Sequence, residues 1–249
     1  MLFRTSKNLI KSTDSRIIET IKVYEKIAKS YAEYTFDKIL QYQLTQFTTF
    51  LPKKAKILDI GSGSGRDVQY LMEEGHEVVG IDLSKNLIKE AKKRVPKGKF
   101  YQMDMLEMKF CDETFDGIWC HATLCHILKL DAPKALKEMF RILKPDGVLY
   151  IGLREGEGEK MICYLKSGNL PKFFAFYTQI ELEEMIMNAG FDVLNSYSER
   201  DEQSAWINTF ARKQGIKTGK AEQKKETNKK TKPAKKTIKK AVAVKKKKK

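Results

Sequence analysis

The chain has 249 residues, 41% of them hydrophobic, which is enough for one domain with a sizeable core and an additional segment. No stretch approaches the roughly 20 consecutive apolar residues of a membrane-spanning helix. Residues 1–20 lack the apolar centre of a secretory signal, so we expect a cytoplasmic protein without membrane insertion. The four cysteines and three histidines lack the spacing of a zinc site, which predicts free thiols and no metal.

The net charge of +16 arises from the C-terminal end of the chain. Residues 211–249 contain 18 of the 48 basic residues and only two of the 32 acidic ones, so the two signs balance over the remainder. Residues 213–249 hold few large apolar side chains and end in five lysines. Such a composition cannot offset the entropy cost of ordering, which predicts a disordered lysine-rich tail over 213–249.

The N-terminal part has a helical pattern over residues 15–50, in which Tyr24, Ile27, Tyr31 and Tyr34 recur at three-to-four spacing. We interpret residues 1–50 as a helical cap that precedes the main domain.

Short β-branched runs and helical patterns alternate after this cap. The predicted strands are Lys56–Ile60, Glu77–Asp82, Lys99–Gln102, Phe115–Cys120, Val148–Gly152, Phe191–Arg200 and Trp206–Arg212. The predicted helices between them are Asp67–Glu74, Lys85–Val95, Asp131–Leu143 and Ile180–Asn188. The alternation predicts an α/β domain over residues 51–212, with a mostly parallel sheet covered by helices on both faces.

The connection over residues 153–178 is long for a link between a strand and a helix. It contains a Gly/Glu-rich stretch and the aromatic run Phe173–Tyr177. Segments of this size at a ligand-binding edge commonly form lids or substrate walls, so we expect a lid or substrate loop here. Ordinary core packing of the aromatic residues is the alternative.

A glycine-rich loop follows the first predicted strand and precedes a helix. Asp59 leads glycines at 61, 63 and 65, which permit tight turns and a close approach of a ligand to the backbone. A dinucleotide fingerprint would place its third glycine at position 66, which is Arg66. A structural βα turn is the alternative interpretation of this loop.

The next strand ends at Asp82, whose carboxylate could accept hydrogen bonds from the two hydroxyls of a ribose. The combination of glycine loop and strand-tip acid favours binding of a nucleoside cofactor. After the third strand, Asp104 could accept from an exocyclic amine, and Met103 and Met105 could enclose a flat base. A loop acid between two core methionines is the alternative.

Taken together, these segments resemble the class I S-adenosylmethionine-dependent methyltransferases. The resemblance is carried by 58–65, 78–84, 103–105, 115–119 and 143–150, in this order, and covers about residues 24–213. It implies a Rossmann-like, doubly wound sheet of seven strands with an antiparallel last strand. Within the class, the chain resembles an uncharacterised bacterial branch of the type 11/25 methyltransferases.

The resemblance implies a binding site for S-adenosylmethionine. Its glycines would approach the methionine and ribose, Asp82 would bind the ribose hydroxyls and Asp104 the adenine amine, while a tyrosine of the N-terminal helix would reach the cofactor. The implied set of cofactor residues is Tyr31, Asp59, Gly61, Ser62, Gly63, Gly65, Asp82, Leu83, Met103, Asp104, Met105, Cys120 and His121.

Methyl transfer needs a base only when the nucleophile carries a proton that must be removed. His126 and His121 are the candidate catalytic residues, with hydrogen-bonded packing as the alternative for both. Sequence markers of enzymes that methylate exocyclic amines or cytosine C5 in nucleic acids are absent from the chain.

The sequence therefore predicts a methyltransferase that acts on a small molecule. The tail over 213–249 could bind nucleic acid or another anionic surface without sequence preference. Two alternatives follow from this tail: an RNA- or ribosome-directed methyltransferase, and a non-catalytic nucleic-acid-binding protein on the same scaffold.

Overall fold

The computed structural model describes residues 10–164, 168–200 and 204–215. Its helices are α1 (Ser15–Thr35), α2 (Gln41–Thr49), α3 (Arg66–Glu73), α4 (Lys85–Arg94), α5 (Ala132–Ile142) and α6 (Gln179–Asn188). Its strands are β1 (Lys56–Ile60), β2 (Glu77–Asp82), β3 (Lys99–Gln102), β4 (Phe115–His121), β5 (Leu143–Arg154), β6 (Glu159–Tyr164), β7 (Leu170–Ala175), β8 (Phe191–Arg200) and β9 (Ala205–Lys213). Within the described ranges, no helix is both long and apolar enough to span a bilayer.

Seven strands form one sheet in the order β3-β2-β1-β4-β5-β9-β8. Neighbouring strands from β3 to β5 are parallel, whereas β9 lies between β5 and β8 and is antiparallel to both. The predicted seven-stranded, mostly parallel sheet with an antiparallel last strand is thus confirmed. The carboxyl ends of β1 to β4 meet at one edge, where an open α/β sheet binds its ligands.

Each face of the sheet carries its own apolar core. One core joins Ile118 and Cys120 of β4 to helices α5 and α6, and the other joins Trp119 to helices α2, α3 and α4. Successive strand residues point to opposite faces, so the continuous apolar run of β4 serves both layers.

The N-terminal helical pattern forms two helices rather than one. Helix α1 ends at Thr35, whose hydroxyl donates to the Tyr31 carbonyl, and α2 begins at Gln41. The two helices have different packing partners, since α1 lies against α4 and β7 while Leu44 and Phe47 of α2 enter the core that contains Trp119.

The connection expected over residues 153–178 contains a hairpin, β6–β7, whose strands pair antiparallel. Strand β7 packs on α1, where the Phe173 amide donates to Thr20 Oγ1 at 2.8 Å. Phe173 and Tyr177 are buried. The hairpin and α1 therefore form one cover on the side of the molecule that bears the glycine loop.

Two boundaries differ from the sequence prediction. Strand β5 begins at Leu143 rather than at the predicted Val148, and its register with β4 shifts at a bulge between the pairs Phe115–Leu143 and Gly117–Val148. Lys213, the first residue of the predicted tail, is the last residue of β9, and its ammonium donates to the Leu143 carbonyl. Residues 216–249 lie outside the described ranges, so the disorder of the tail stays a prediction.

The glycine at the start of α3 gives a prediction on stability. Gly65 and Gly75 both have positive φ, +83° and +89°, but a Cβ on Gly65 would lie 2.9 Å from Phe100 Cζ while one on Gly75 would contact nothing within 4 Å. We expect Gly75→Ala to lower the free energy of unfolding by about 1–2 kcal/mol through strain alone, and Gly65→Ala to lower it further. Urea unfolding measures both variants, and equal losses would contradict the contact with Phe100.

Candidate active site

The loops after β1, β2, β3 and β4 surround a cavity of about 770 Å³, a volume that includes its opening to solvent. Helix α1 forms its outer wall with Ile17, Thr20, Ile21, Tyr24 and Tyr31.

The glycine loop is shaped by contacts with the end of β2. The amides of Gly61 and Ser62 both donate to the Ile81 carbonyl, at 2.8 and 2.9 Å. Gly61 has a φ of +75°, and a Cβ there would overlap the Thr123 side chain of the loop after β4. Glycine at position 61 is therefore required both by backbone conformation and by space.

The Asp82 carboxylate lies at the centre of this edge and lines the cavity. Its Oδ2 accepts from the Gly63 amide at 3.0 Å and its Oδ1 from the Ser84 amide at 2.8 Å. Burial raises the pKa of Asp82 to about 6, although these two amides lower it. Each oxygen keeps a second lone pair, so the carboxylate can accept from a ligand hydroxyl as well.

A second group of charges lies beneath the glycine loop. Asp67 accepts from the Arg66 guanidinium at 2.7 and 2.8 Å and from Trp119 Nε1 at 3.0 Å. Asp59 is buried, and its Oδ2 has no hydrogen-bond partner in the described part of the chain. Burial, and then the neighbouring Asp67, raise the pKa of Asp59 well above its usual value. A ligand cation close to Asp59 would relieve this cost.

The loop after β3 forms the apolar end of the cavity with Met103 and Met105. Asp104 lies between them in sequence but does not line the cavity; its Oδ1 accepts from the Leu106 amide and its Oδ2 from the Lys11 amide, each at 2.8 Å. Burial raises the pKa of Asp104. The carboxylate thus holds its own loop and the segment before α1.

Helix α1 is fixed to this edge of the sheet by Glu25. Its carboxylate accepts from the amides of Lys85 and Asn86 at the start of α4, and its carbonyl accepts from the Asn86 side chain at 3.0 Å. Tyr31, six residues further on, closes the cavity over Gly63, and burial raises its pKa to about 12. The phenol of Tyr31 therefore stays protonated at neutral pH.

A hydrogen-bonded chain runs along the side of the cavity that is lined by Tyr24 and His126. His126 Nδ1 lies 2.7 Å from the Phe173 carbonyl, so this nitrogen carries the proton and Nε2 is the acceptor. Tyr24 Oη lies 2.9 Å from Nε2 and donates to it, while Lys172 Nζ donates to Tyr24 Oη at 3.4 Å. Burial lowers the pKa of His126 to about 4, which keeps the ring neutral at neutral pH.

The side chains of β4 diverge at its tip. His121 lines the cavity, whereas Cys120 points into the core that contains Ile118 and α5. Burial raises the pKa of the Cys120 thiol far above its usual value, so this thiol is not an available nucleophile.

Most residues singled out from the sequence meet in this one cavity. Those that line it are Tyr31, Gly61, Gly63, Asp82, Leu83, Met103, Met105, His121 and His126. Those that lie behind its wall are Asp59, Ser62, Gly65, Asp104 and Cys120.

Sequence reasoning missed other wall residues, namely Ile17, Thr20, Ile21, Thr123 and Ile127. The helical stripe through Tyr24 and Tyr31, continued towards the N-terminus, would have found the first three. No sequence pattern indicates that Lys172 or the Phe173 carbonyl belongs to the site, because the hairpin brings them there from a distant part of the sequence.

Comparison with known proteins agrees with this architecture. Residues 58–151 match the model of a family described as a methyltransferase domain. The Bacillus subtilis (strain 168) protein YqeM, a methyltransferase by name, is 33% identical over 132 residues, which are 51% of this chain and 53% of that protein. The malonyl-[acyl-carrier protein] O-methyltransferase of Buchnera aphidicola is 29% identical over 138 residues, 53% of this chain and 54% of that protein. The chain thus spans about half the length of these curated relatives.

A similar fold occurs in the crystal structure of Burkholderia thailandensis 1,6-didemethyltoxoflavin-N1-methyltransferase, which contains 1,6-didemethyltoxoflavin and S-adenosylhomocysteine. The TM-score is 0.64 at 22% identity, over 83% of this chain and 94% of that one. The sheet order, the glycine loop and the matching methyltransferase domain over residues 58–151 together support a class I S-adenosylmethionine-dependent methyltransferase domain in this chain.

The histidines give a direct test of the site geometry. We expect His121 and His126 to be neutral from pH 6 to 8, with the proton on Nδ1, because burial holds both pKa values near 4. His76 is an internal control of the opposite tautomer, since its Nδ1 accepts from the Ala55 amide. Long-range ¹H–¹⁵N correlation spectra, assigned with single His→Asn variants, distinguish the tautomers. A proton on Nε2 of His126 would contradict the chain through Tyr24.

Proposed function

We propose that the protein transfers a methyl group from S-adenosylmethionine to a neutral hydroxyl or N–H group of a small molecule. The observation that carries this proposal is a single cavity that combines the glycine loop and Asp82 at one end with the hydrogen-bonded chain of Tyr24 at the other. The first end suits a nucleoside and the second suits an uncharged polar acceptor.

The residues of the first end fit the cofactor. The free lone pairs of Asp82 suit ribose hydroxyls, and Leu83, Met103 and Met105 offer an apolar slot for a purine. Asp59 lies behind the cavity wall, and its buried carboxylate would be stabilised electrostatically by a cation such as the ammonium of the methionine end. When bound, S-adenosylmethionine supplies an electrophilic methyl group on its sulfonium.

The directions of the hydrogen bonds define what the second end can recognise. The proton of Tyr24 is donated to His126 Nε2, and one lone pair of Tyr24 Oη accepts from Lys172. With its proton committed, the Tyr24 oxygen can take part in further hydrogen bonds only as an acceptor. Tyr24 therefore favours a methyl acceptor whose nucleophilic atom carries a hydrogen that it can donate to Tyr24 Oη. A carboxylate has no such hydrogen at neutral pH and is disfavoured.

The positive charge of Lys172 favours a methyl acceptor that is itself uncharged. The Lys172 ammonium lies 4.6 Å from the centre of the Tyr24 ring. Among the residues that line the cavity, Asp82 is the only carboxylate, and it lies at the nucleoside end. An ammonium-bearing methyl acceptor next to Tyr24 would face the like charge of Lys172.

The same residues can remove the proton of the acceptor. When the nucleophilic atom of the methyl acceptor attacks the methyl group, the hydrogen on that atom becomes acidic and passes to Tyr24 Oη. The Tyr24 proton passes at the same time to His126 Nε2. The resulting imidazolium keeps its Nδ1–H bond to the Phe173 carbonyl. The low pKa of His126 then favours release of this proton to solvent.

The cover formed by α1 and the β6–β7 hairpin also supports the proposal that the methyl acceptor is a small molecule. Helix α1 lines the acceptor end and the β6–β7 hairpin packs against α1 through Phe173 and Thr20, so the space there suits a molecule of limited size. The RNA-directed alternative depends on the tail over 213–249, most of which lies outside the described residues.

The first prediction concerns cofactor affinity. Asp82→Ala should weaken binding of S-adenosylhomocysteine about 30- to 150-fold, equivalent to about 2–3 kcal/mol, because it removes charge-assisted hydrogen bonds to the ribose. Asp192→Ala is the matched control, since it removes one exposed acid far from the cavity. Calorimetric titration measures both variants. Equal affinity of Asp82→Ala and the wild type, with the fold intact, would remove Asp82 from the site.

The second prediction concerns turnover. With an acceptor found in a panel of phenols, alcohols and N–H heterocycles, Tyr24→Phe should lower kcat about 100-fold or more, because the variant can neither accept nor relay the proton. Tyr34→Phe is the control, on the same helix but exposed. Affinity for S-adenosylhomocysteine should change less than twofold in both variants. Methyl transfer to total RNA, with none to the panel, would overturn the small-molecule proposal in favour of the RNA-directed enzyme.

A further inference from the structure

The Arg141 side chain of α5 uses every one of its hydrogen-bond donors. Nε and Nη2 each donate at 2.8 Å to the carboxylate of Glu138, three residues earlier on the same helix. The other donors reach the chain after β3: Nη2 donates to the Met108 carbonyl at 2.7 Å, and Nη1 to the Phe110 carbonyl at 2.8 Å and to Asp112 at 2.7 Å. A guanidinium has no N–H group left after these contacts.

Glu138 binds the same segment of chain. Its Oε2 accepts from the Met108 amide at 2.9 Å, so Met108 is held at its amide by Glu138 and at its carbonyl by Arg141. The two side chains lie on one face of α5, because residues three apart are neighbours on a helix surface. The opposite face of α5 is buried in the core through Leu136 and Met139. Helix α5 thus connects the core to the backbone of the loop after β3.

The segment held by Arg141 in turn fixes the side chain of Met103. The Lys109 amide lies in sequence between the two carbonyls that Arg141 binds, and it donates to Met103 Sδ at 3.4 Å. At its own backbone, Met103 donates to the Asp82 carbonyl at 3.1 Å. Met103 is buried and lines the cavity. Its thioether is therefore held between the end of β2 and the segment that Arg141 binds.

A methionine needs such support if it is to form one wall of a binding slot. Its unbranched side chain has three rotatable bonds, and its sulfur is a weak hydrogen-bond acceptor. Ordering a flexible side chain at the moment of binding lowers the affinity for the ligand, whereas a side chain that is already ordered causes no such loss. The contact with the Lys109 amide orders Met103 before a ligand arrives.

We propose that Arg141 is a positioning residue for the nucleobase of the cofactor. It holds the carbonyls on either side of Lys109, the Lys109 amide holds the Met103 sulfur, and Met103 forms the wall against which the base lies. This inference rests on the proposed function, which assigns this end of the cavity to the nucleoside. Among the described residues that line the cavity none belongs to α5, so Arg141 acts on the ligand only through Met103.

A double-mutant cycle, measured by calorimetric titration with S-adenosylhomocysteine, tests the proposal. Arg141→Gln should weaken binding about two- to tenfold, the range expected when one flexible side chain must be ordered on binding. Met103→Leu keeps the side-chain volume but offers the Lys109 amide no sulfur, so it should weaken binding to a similar extent. In the Met103→Leu background, Arg141→Gln should cause no further loss. Equal weakening by Arg141→Gln in both backgrounds, or none in the wild-type background, would overturn the proposal.

Arg94→Gln is the matched control. Arg94 also pairs with an acid on its own helix, Glu90, and its side chain is 18% exposed against 20% for Arg141. Its guanidinium lies over the ring of Phe36 rather than against the loop after β3. Arg94→Gln should leave the affinity for S-adenosylhomocysteine unchanged in both backgrounds.

Arg141→Lys replaces Arg141→Gln if the latter does not fold. It keeps the positive charge but lacks the planar fork that reaches two carbonyls and a carboxylate together. It should therefore weaken S-adenosylhomocysteine in the wild-type background and add nothing to Met103→Leu, and additive losses would again overturn the proposal. If the wild type itself does not bind S-adenosylhomocysteine, the proposed function fails, which is distinct from failure of the role of Arg141.

Discussion

The Asp82 carboxylate joins the two loops on which the rest of the site depends. One oxygen holds the Gly63 amide of the glycine loop and the other holds the Ser84 amide at the start of α4. Burial makes the ionised carboxylate costly, as its raised pKa indicates, and the two amides offset part of that cost. The glycine loop adopts its shape around this group, and Glu25 of α1 binds the same end of α4. The glycine loop and helix α1 are therefore both held by hydrogen bonds to the segment between β2 and α4.

The two ends of the cavity are formed by different parts of the fold. The proposed nucleoside end is built from strand ends of the sheet, which lie close to one another in the fold. The proposed acceptor end is lined by α1 and the loop after β4, and the β6–β7 hairpin packs behind them through Phe173, which contacts Thr20 and His126. His121 and His126 are both held with the proton on Nδ1, one by Tyr150, whose own proton is donated to Asn208, and the other by the Phe173 carbonyl. His121 and His126 are thus both uncharged imidazoles whose Nε2 can only accept a hydrogen bond.

The sheet and the nucleoside end could be predicted from the sequence because their signals are local. Buried strands of continuous β-branched residues, a glycine loop and an acid at a strand tip each occupy a few consecutive positions, and parallel strand ends meet by topology. Strand alternation also explains why Cys120 enters the core while its neighbour His121 reaches the cavity.

The acceptor end could not be predicted, because its contacts join distant segments. His126 was a candidate base, but its role depends on Tyr24, which lies 102 residues away, and on the carbonyl of Phe173. The hairpin itself lacks the alternating pattern of a half-buried sheet. Asp104 was expected to bind a base amine, and only the structure reveals that its oxygens hold the amides of Lys11 and Leu106.

A crystal structure of the full chain with S-adenosylhomocysteine tests the central claim most directly, because one density map locates every part of the ligand. We expect both ribose hydroxyls within hydrogen-bond distance of Asp82, the adenine against Met103 and Met105, and the sulfur directed towards the space in front of Tyr24. A ligand bound with its ribose away from Asp82, or with its sulfur turned from Tyr24, would contradict the assignment of the two ends of the cavity.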